Sequence, residues 1–451
     1  MIRDGRPGRR FALGDQGYEA ALFGTSFNGR DPGRRPRVIV QANDAADVLG
    51  ALAEARDAGW RVSLCSGGHS WAQNHIRDDA LLIDLSRLNG IEIDAAAGTA
   101  RIAPGCEGAL LNRVLQRRGF FFPTPHAPDV AMGGFLLQGG FGWGGRTLGL
   151  ACESVIAVEV ALADGRVVRA DAEQHSDLYW AARGAGPGFF GVVLAFHLRL
   201  TRKPGFVGMC LHVYPMSALE DVFRWAEDVG PQVSRQVEFQ MLMTPRTMGG
   251  GGPGIEVLAP VIAGGWGEAL AATRFLRKSP IRRRARLRLP LLPIPVEVMQ
   301  RAAARSHFPD GMRWSVDNMW TDAPIEALLP DLRRIAETLP PAPSHVLWLD
   351  WRPPEHRPDM AFSVEASRYL ALYGEWRDPA LDAEHLGWAT GHMQRMAPMA
   401  RGIQLADENL ARRPARFLSD ANAARMAAVR ARYDPTGLFN SWMDAQVEAA
   451  A

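Results

Sequence analysis

Lysine is almost missing from this chain. Lys203 and Lys278 are the only two, and every other basic side chain that could be a lysine is an arginine. That bias reads as codon usage rather than as function. Cysteine is nearly as sparse, and Cys65, Cys106, Cys152 and Cys210 include no CxxC pair. Neither a zinc site nor a disulfide framework is indicated, and no metal is expected. No apolar run is long enough to span a bilayer. The segment Met1 to Phe23 is charged and lacks the apolar core of a signal peptide. A soluble, cytoplasmic protein is therefore expected, without a membrane partner. A net charge of +2 leaves no field that would attract nucleic acid or an anionic membrane. Internal repeats and coiled-coil heptads are absent. What is present is an ordinary globular composition, 47% hydrophobic, in a chain of 451 residues, enough for two or three domains.

Residues 1–35 are rich in Arg and Gly and read as an irregular leading segment. Beyond them strands and helices alternate. Arg37–Gln41 is a strand, followed by a helix over Ala45–Ala58 that Asn43 or Asp44 can cap and Gly59 ends. Trp60–Cys65, Leu81–Leu85 and Thr99–Ala103 read as further strands, and Gly108–Arg118 as an amphipathic helix. Asp164-Gly165 between Val155–Ala163 and Arg166–Ala170 signals a hairpin, and Gly191–Leu200 another strand. This mixture predicts an α+β fold rather than a doubly wound sheet. The character changes at Lys203-Pro204-Gly205, after which tryptophan and methionine become commoner up to about residue 400. There Thr244–Gly254 reads as a flexible loop and Pro290–Pro295 as a break. Ile325–Thr338 reads as a helix and Ser344–Asp350 as a strand. The middle is expected to be a sheet covered by helices. The tail, Ser419–Ala451, opens with a capped helix and turns at Asp434-Pro435-Thr436-Gly437.

The most informative stretch is Cys65-Ser66-Gly67-Gly68-His69-Ser70-Trp71, which follows directly on an apolar strand. Glycines there let backbone N–H groups converge on an anion without Cβ atoms in the way, and a pyrophosphate is the natural guest. The pattern is neither GxGxxG nor a P-loop. A second tract runs from Pro128-Asp129 through Gly133-Gly134 to Gly139, Gly140 and Gly142. Close packing could explain such a density of glycine; a long ligand approached by backbone from two sides explains it better.

Together these segments resemble the FAD-linked oxidoreductases of the vanillyl-alcohol oxidase superfamily, and within it the berberine bridge enzyme-like proteins. The matching stretches are Arg35–Val40, Cys65–Trp71, Val130–Gly142, Trp180–Val193 and Tyr433–Trp442, in the family's order. The resemblance implies a two-domain PCMH-type FAD-binding fold with an inserted substrate domain, an antiparallel sheet covered by helices. The FAD domain would comprise residues 1–204 and the C-terminal return 405–451, with the substrate domain at 205–404. It implies FAD bound by the residues of both tracts, with Val193 and Asn440 also touching it. It further implies a covalent bond from His69 to the flavin. The cysteine that makes a second bond in many such proteins is replaced by Ala127, so a single attachment is expected.

The usual base in this family is a tyrosine, and its position is filled by Gln404, with Ala406 in place of a nearby asparagine. Glutamine cannot take up a proton. Asp407 and Glu408 follow directly and could serve if buried; equally, they could be solvated or pair with Arg412 and Arg413. His126 beside the second tract and Tyr369 in a helix-like segment with Tyr373 are the other catalytic candidates. The run Arg282–Arg288 reads as a strand with one solvated face from Ala285 onward. Trp314, Trp320, Trp348 and Trp351 read mainly as core, with a pocket-lining role open. The expected activity is hydride removal from a C–OH or C–N carbon of a small molecule, with O2 as acceptor, in a monomer or homodimer. A dehydrogenase, an oxidative cyclase, a flavin protein without catalysis and a flavin-free binding domain are the competing readings.

Overall fold

The computed structural model describes residues 8–443, so the ends of the first and last expected segments lie outside the described residues. The chain opens with β1 (Arg9–Ala12), β2 (Val38–Gln41), β3 (Val62–Cys65) and β4 (Leu81–Asp84). These form a sheet in the order β1-β2-β4-β3, in which β4 runs parallel to both β2 and β3. Next come β5 (Ile91–Asp94), β6 (Thr99–Ile102), β7 (Phe120–Phe121), β8 (Val155–Ala161), β9 (Val167–Asp171), β10 (Val192–Arg199) and β11 (Thr201–Arg202). A second, antiparallel sheet has the order β5-β6-β10-β8-β9, and β7 pairs with β11. The third sheet is built from β12 (Phe206–Pro215), β13 (Phe239–Thr244), β14 (Gly254–Ala263), β15 (Leu287–Pro293), β16 (Arg313–Thr321), β17 (His345–Asp350) and β18 (Arg368–Trp376). It is antiparallel throughout, in the order β15-β12-β14-β13-β17-β18-β16.

The α+β expectation holds, and local chemistry explains several elements to the residue. The helix Ala45–Ala58 starts where the Asp44 side chain accepts from the Ala46 and Asp47 amides, and stops at Gly59 with φ 67°. The hairpin at Asp164-Gly165 joins β8 to β9. Ser419 caps the helix Asp420–Tyr433 through the Asn422 amide.

Four expectations need correction. The leading segment is not irregular throughout, since it holds β1 and the helix Tyr18–Phe23. The break is shorter than Pro290–Pro295: β15 runs on to Pro293 as an edge strand, with an irregularity in its pairing with β12 at Pro290, and the chain breaks only at Ile294-Pro295 before the helix Val296–His307. In the basic run, Arg282–Arg284 lie in a short 3-10 turn and strand alternation starts only at Leu287. Tyr369 and Tyr373 lie on strand β18, not on a helix. A spacing of four puts two residues on one face in either element, so periodicity could not separate the two.

In β18 that alternation divides the sheet. Leu370 and Leu372 pack with Met241, Val257, Trp348 and the helices Leu219–Val229, Ile325–Glu337 and Trp388–Met396. Tyr369, Ala371 and Tyr373 pack on the opposite side with Trp314, Trp320 and Leu349. The tail then returns to the first sheet. The Val62 amide donates to Leu438 O at 2.7 Å and the Asn440 amide to Val62 O at 2.9 Å, which adds Phe439 alongside β3.

The return is also fastened to the third sheet. Arg413 Nε lies 3.0 and 2.9 Å from the two Asp317 carboxylate oxygens, and both side chains are buried. Arg413 Nη2 donates to Asn318 O at 2.7 Å. Breaking such a pair from one side leaves an uncompensated buried charge, which typically costs about 3–5 kcal/mol. Arg413→Met is expected to lose stability on this scale in denaturant unfolding. Adding Asp317→Asn should recover part of the loss; a single variant as stable as wild type refutes the fastening role.

Candidate active site

Two glycine tracts and the inner face of the third sheet enclose one cavity of about 890 Å³. That is at the upper end of the roughly 300–1,000 Å³ of small-molecule sites. At one end the chain leaves β3 as Ser66-Gly67-Gly68-His69. Gly68 has φ +76°, and a Cβ there would collide with the Thr25 carbonyl, so only glycine fits. The amides of Ser66, Gly67 and His69 have no hydrogen-bond partner among the described residues. A Cβ built on Gly134 meets no protein atom, although Gly134 lines the cavity. Backbone donors turned to open space, with glycine where a ligand would press, fit a phosphate-bearing cofactor.

His69 lines the cavity, stacks on Phe27 with centroids 4.5 Å apart, and pairs through Nε2 with Asp129 at 3.2 Å. Its Nδ1 is left without a protein partner among the described residues. Cys65, Ser66, Gly67, Ser70, Trp71, Gly133, Gly140, Val193 and Asn440 also line the cavity. Asn440 Nδ2 is engaged by Ser63 Oγ at 2.8 Å. Pro128, Asp129, Gly139 and Gly142 do not line it. Asp129 acts through His69, while the Pro128 carbonyl accepts from the Ala109 amide. Gly139 and Gly142 admit Phe362 and the Thr124 carbonyl, so for these two the packing reading is right. Ala127 lines the cavity. Cys65 lines it too, but is buried and donates to Thr25 O at 3.4 Å; Cys106, Cys152 and Cys210 are buried elsewhere.

Midway along the cavity stands Asp407. Tyr369 and Tyr373 donate to its Oδ2 at 2.5 and 2.7 Å, and Trp71 Nε1 donates to Oδ1 at 2.7 Å. The tyrosines stand four positions apart, about 13 Å along β18, and both rings lean toward one oxygen. Burial pushes the Asp407 carboxyl above the ordinary range, against the three donors and the field of His126. Both phenols are pushed well above 10, by burial first and then by the charge of Asp407.

Asp407 owes its place to a short turn, Leu405–Asp407. The Gln404 side chain accepts from the Ala406 and Asp407 amides at 2.5 and 3.2 Å. Asn318 holds the same turn, donating to Gln404 O and Asp407 O at 3.1 and 2.7 Å. Gln404 is thus a cap. Glu408 is not on the cavity wall; it is buried and accepts from Asn74 Nδ2 and the Leu410 amide at 2.8 and 2.7 Å. Neither acid pairs with Arg412 or Arg413. His126 is on the wall, held by Glu238 at 2.9 Å and packed on Trp143. Of Trp314, Trp320, Trp348 and Trp351, only Trp320 lines the cavity, beside Trp71 and Trp143.

Beyond Tyr373 is a pair that sequence reasoning missed. His345 stacks on Tyr373 with centroids 4.6 Å apart, and its Nδ1 lies 3.1 Å from Glu375 Oε1 and 3.2 Å from Pro343 O. Both are isolated residues on strands, with no motif around them. Burial raises the Glu375 carboxyl to about 10 and drives the imidazole well below its ordinary value. The two are therefore neutral partners, Nδ1–H donating, rather than an ion pair. Among the described residues no cluster of three or more His, Cys, Asp or Glu could hold a metal, and no helix is long and apolar enough to cross a membrane.

Comparison with known proteins agrees with this geometry. Residues 36–171 match the FAD binding domain family. The FAD-linked oxidoreductase ptmO of Penicillium ochrochloron is 30% identical over 431 residues, covering 93% of this chain and 92% of its own. The FAD-linked oxidoreductase nodO of Hypoxylon pulicicidum is 28% identical over 430 residues, 91% of each chain. Among solved structures, 6-hydroxy-D-nicotine oxidase of Arthrobacter nicotinovorans superposes with TM-score 0.84 at 21% identity, over 98% of this chain and 99% of that one.

Glu375 makes stability depend on pH. A carboxyl raised to about 10 in the fold holds a proton that the unfolded chain loses near 4.5. This group's contribution to stability is therefore fully present below pH 4.5 and is lost as pH rises toward 10, by about 1.4 kcal/mol per unit. Glu375→Gln keeps an acceptor for His345 without this dependence. Its stability relative to wild type is expected to climb by about 1.4 kcal/mol per unit between pH 6 and 8. Parallel stability curves would show that Glu375 is ionised in the fold.

Proposed function

Since the chain belongs to the FAD-linked oxidoreductases and shares the fold of a berberine bridge enzyme-like protein, we propose that it is an oxidase with Asp407 as proton acceptor. On this reading the substrate is a small molecule whose C–OH or C–N carbon is oxidised, and O2 takes the electrons. The observation that carries the proposal is the Asp407 carboxylate, held by three donors in the wall of the cavity that also contains the glycine cradle.

FAD would lie along Ser66–Ser70, Gly133-Gly134 and Gly140, with Val193 and Asn440 nearby. The chemistry it supplies when bound is hydride acceptance at N5 and onward transfer of electrons. The chain supplies binding, orientation and a place for the proton. Tyr369 and Tyr373 stay protonated beside Asp407, so neither phenol is the base. A substrate proton would end on the Asp407 carboxylate, directly or through one of the phenol hydroxyls. Trp71 and the two tyrosines fix that carboxylate in advance. His126, oriented by Glu238, is a second group within the cavity able to hydrogen-bond substrate. The division into an FAD-binding part at 1–204 and 405–451 and a substrate-binding part at 205–404 is part of the same proposal. The third sheet, residues 206–376, supplies Tyr369 and Tyr373, and the return supplies Asp407.

We further propose a single covalent bond from His69 to FAD. With Nε2 on Asp129, Nδ1 is the nitrogen free to form it. Acid-denatured wild-type protein is expected to keep flavin fluorescence in its gel band, whereas His69→Ala loses it. Colour released on denaturing wild type would mean that FAD is bound but not bonded.

Asp407 must be ionised to act. Wild-type kcat/KM should therefore rise with pH through a pKa above the ordinary carboxylate range, because burial raises it. Asp407→Asn is expected to lower kcat by about 10²–10⁴-fold, the range for a general base, and to abolish that limb of the profile. An unchanged profile in the variant would move the base elsewhere, with His126 the first alternative.

A further inference from the structure

Past Tyr373 the cavity wall changes in electrostatic character. Arg246 and Arg305 are the two arginines on this wall, and both are exposed. Most arginines near the cavity are committed: Arg413 to Asp317, Arg313 to Asp382, Arg146 to backbone carbonyls. Arg246 and Arg305 have no guanidinium hydrogen bond or ion pair among the described residues. Glu256, the other carboxylate on this part of the wall, is taken by the Met248 amide at 2.5 Å and pairs with neither arginine.

Both arginines line the same cavity, on segments that flank one end of the sheet. Met243 pairs with Val346 at the end of β13, so Thr244 and His345 are neighbours there. Thr244 Oγ1 accepts from the Arg246 amide at 3.3 Å and donates to Arg246 O at 3.2 Å, which ties the start of the β13–β14 loop. His307 lies with its ring centroid 4.7 Å from that of His345, and Arg305 is two residues earlier on the helix Val296–His307. His307 and His345 both line the cavity, and His307 Nδ1 is buried without a hydrogen-bond partner. His345 stacks on Tyr373, whose hydroxyl is on Asp407. A path therefore runs along the wall from Asp407 to two unpaired guanidinium groups.

We propose that Arg246 and Arg305 bind an anionic group of the substrate, a carboxylate or a phosphate, while the carbon to be oxidised lies against Asp407. The inference rests on the proposed function for the reacting end and adds the substrate class. Two cations that no described residue pairs with would attract such a molecule and set its direction in the cavity, with the anion outward and the oxidisable carbon inward.

The test is equilibrium binding, by titration calorimetry of the purified holoenzyme at low salt, with benzoate, phenyl phosphate and uncharged benzamide as probes. Benzoate or phenyl phosphate is expected to bind about tenfold tighter than benzamide, the scale of one charge-assisted hydrogen bond; whichever does so identifies the anion. Arg246→Gln/Arg305→Gln should abolish the preference and leave benzamide binding unchanged. Arg301→Gln, on the same helix but off the cavity wall, should keep it. Equal binding of all three probes, binding of none, or a preference that survives the double variant overturns the inference. Asp407→Asn separates the two readings: it should retain the anion preference while losing activity, and wild-type protein with that preference but no oxidase activity refutes the proposed function alone.

Discussion

One constraint organises this molecule, the fixing of the half-buried Asp407 carboxyl in the cavity wall. A carboxylate taken out of water needs hydrogen-bond donors fixed in place beforehand. Here they come from Trp71, in the loop after β3, and from Tyr369 and Tyr373 on β18. The acid itself sits in the segment that returns from the third sheet to the first. Three stretches far apart in sequence must meet within hydrogen-bond distance, and the surrounding architecture brings them there.

The antiparallel pleat does much of that work. Alternation along β18 turns Leu370 and Leu372 to the helices and Tyr369 and Tyr373 to the cavity. The neighbouring strand β16 contributes Asn318, which holds the turn carrying Asp407 from its other side, and Asp317, which pairs with Arg413. The same two consecutive residues thus fasten the return at two points, one neutral and one ionic. Glu408, next in sequence to Asp407, adds a third tie by accepting from Asn74 in the first glycine loop. Neighbours of the site that are not on the cavity wall act by positioning the one that is.

Signals confined to a few consecutive residues were legible in the sequence. The cap at Asp44, the stop at Gly59, the hairpin at Asp164-Gly165 and the first glycine loop all stand where local chemistry puts them. Signals that depend on partners were not. The prolines of β15 look like a break until the strand is known to be an edge. Glycines cannot be sorted by sequence into those that face open space, such as Gly134, and those that admit a neighbouring side chain or carbonyl, such as Gly139 and Gly142. His345 and Glu375 carry no motif, and only their shared burial gives them meaning.

The substitution at Gln404 takes its sense from the same network. In the resembled family a tyrosine in this position is the usual base; here the side chain caps a turn, and a carboxylate three residues on faces the cavity. Here the aspartate accepts and the tyrosines donate. A carboxylate beside two phenols raises the phenol pKa values, which keeps their protons available as donors. Those donors oppose the burial that would otherwise neutralise the carboxylate. Burial favours the protonated acid while the three donors favour the carboxylate, so two opposed effects meet on one group of the cavity wall.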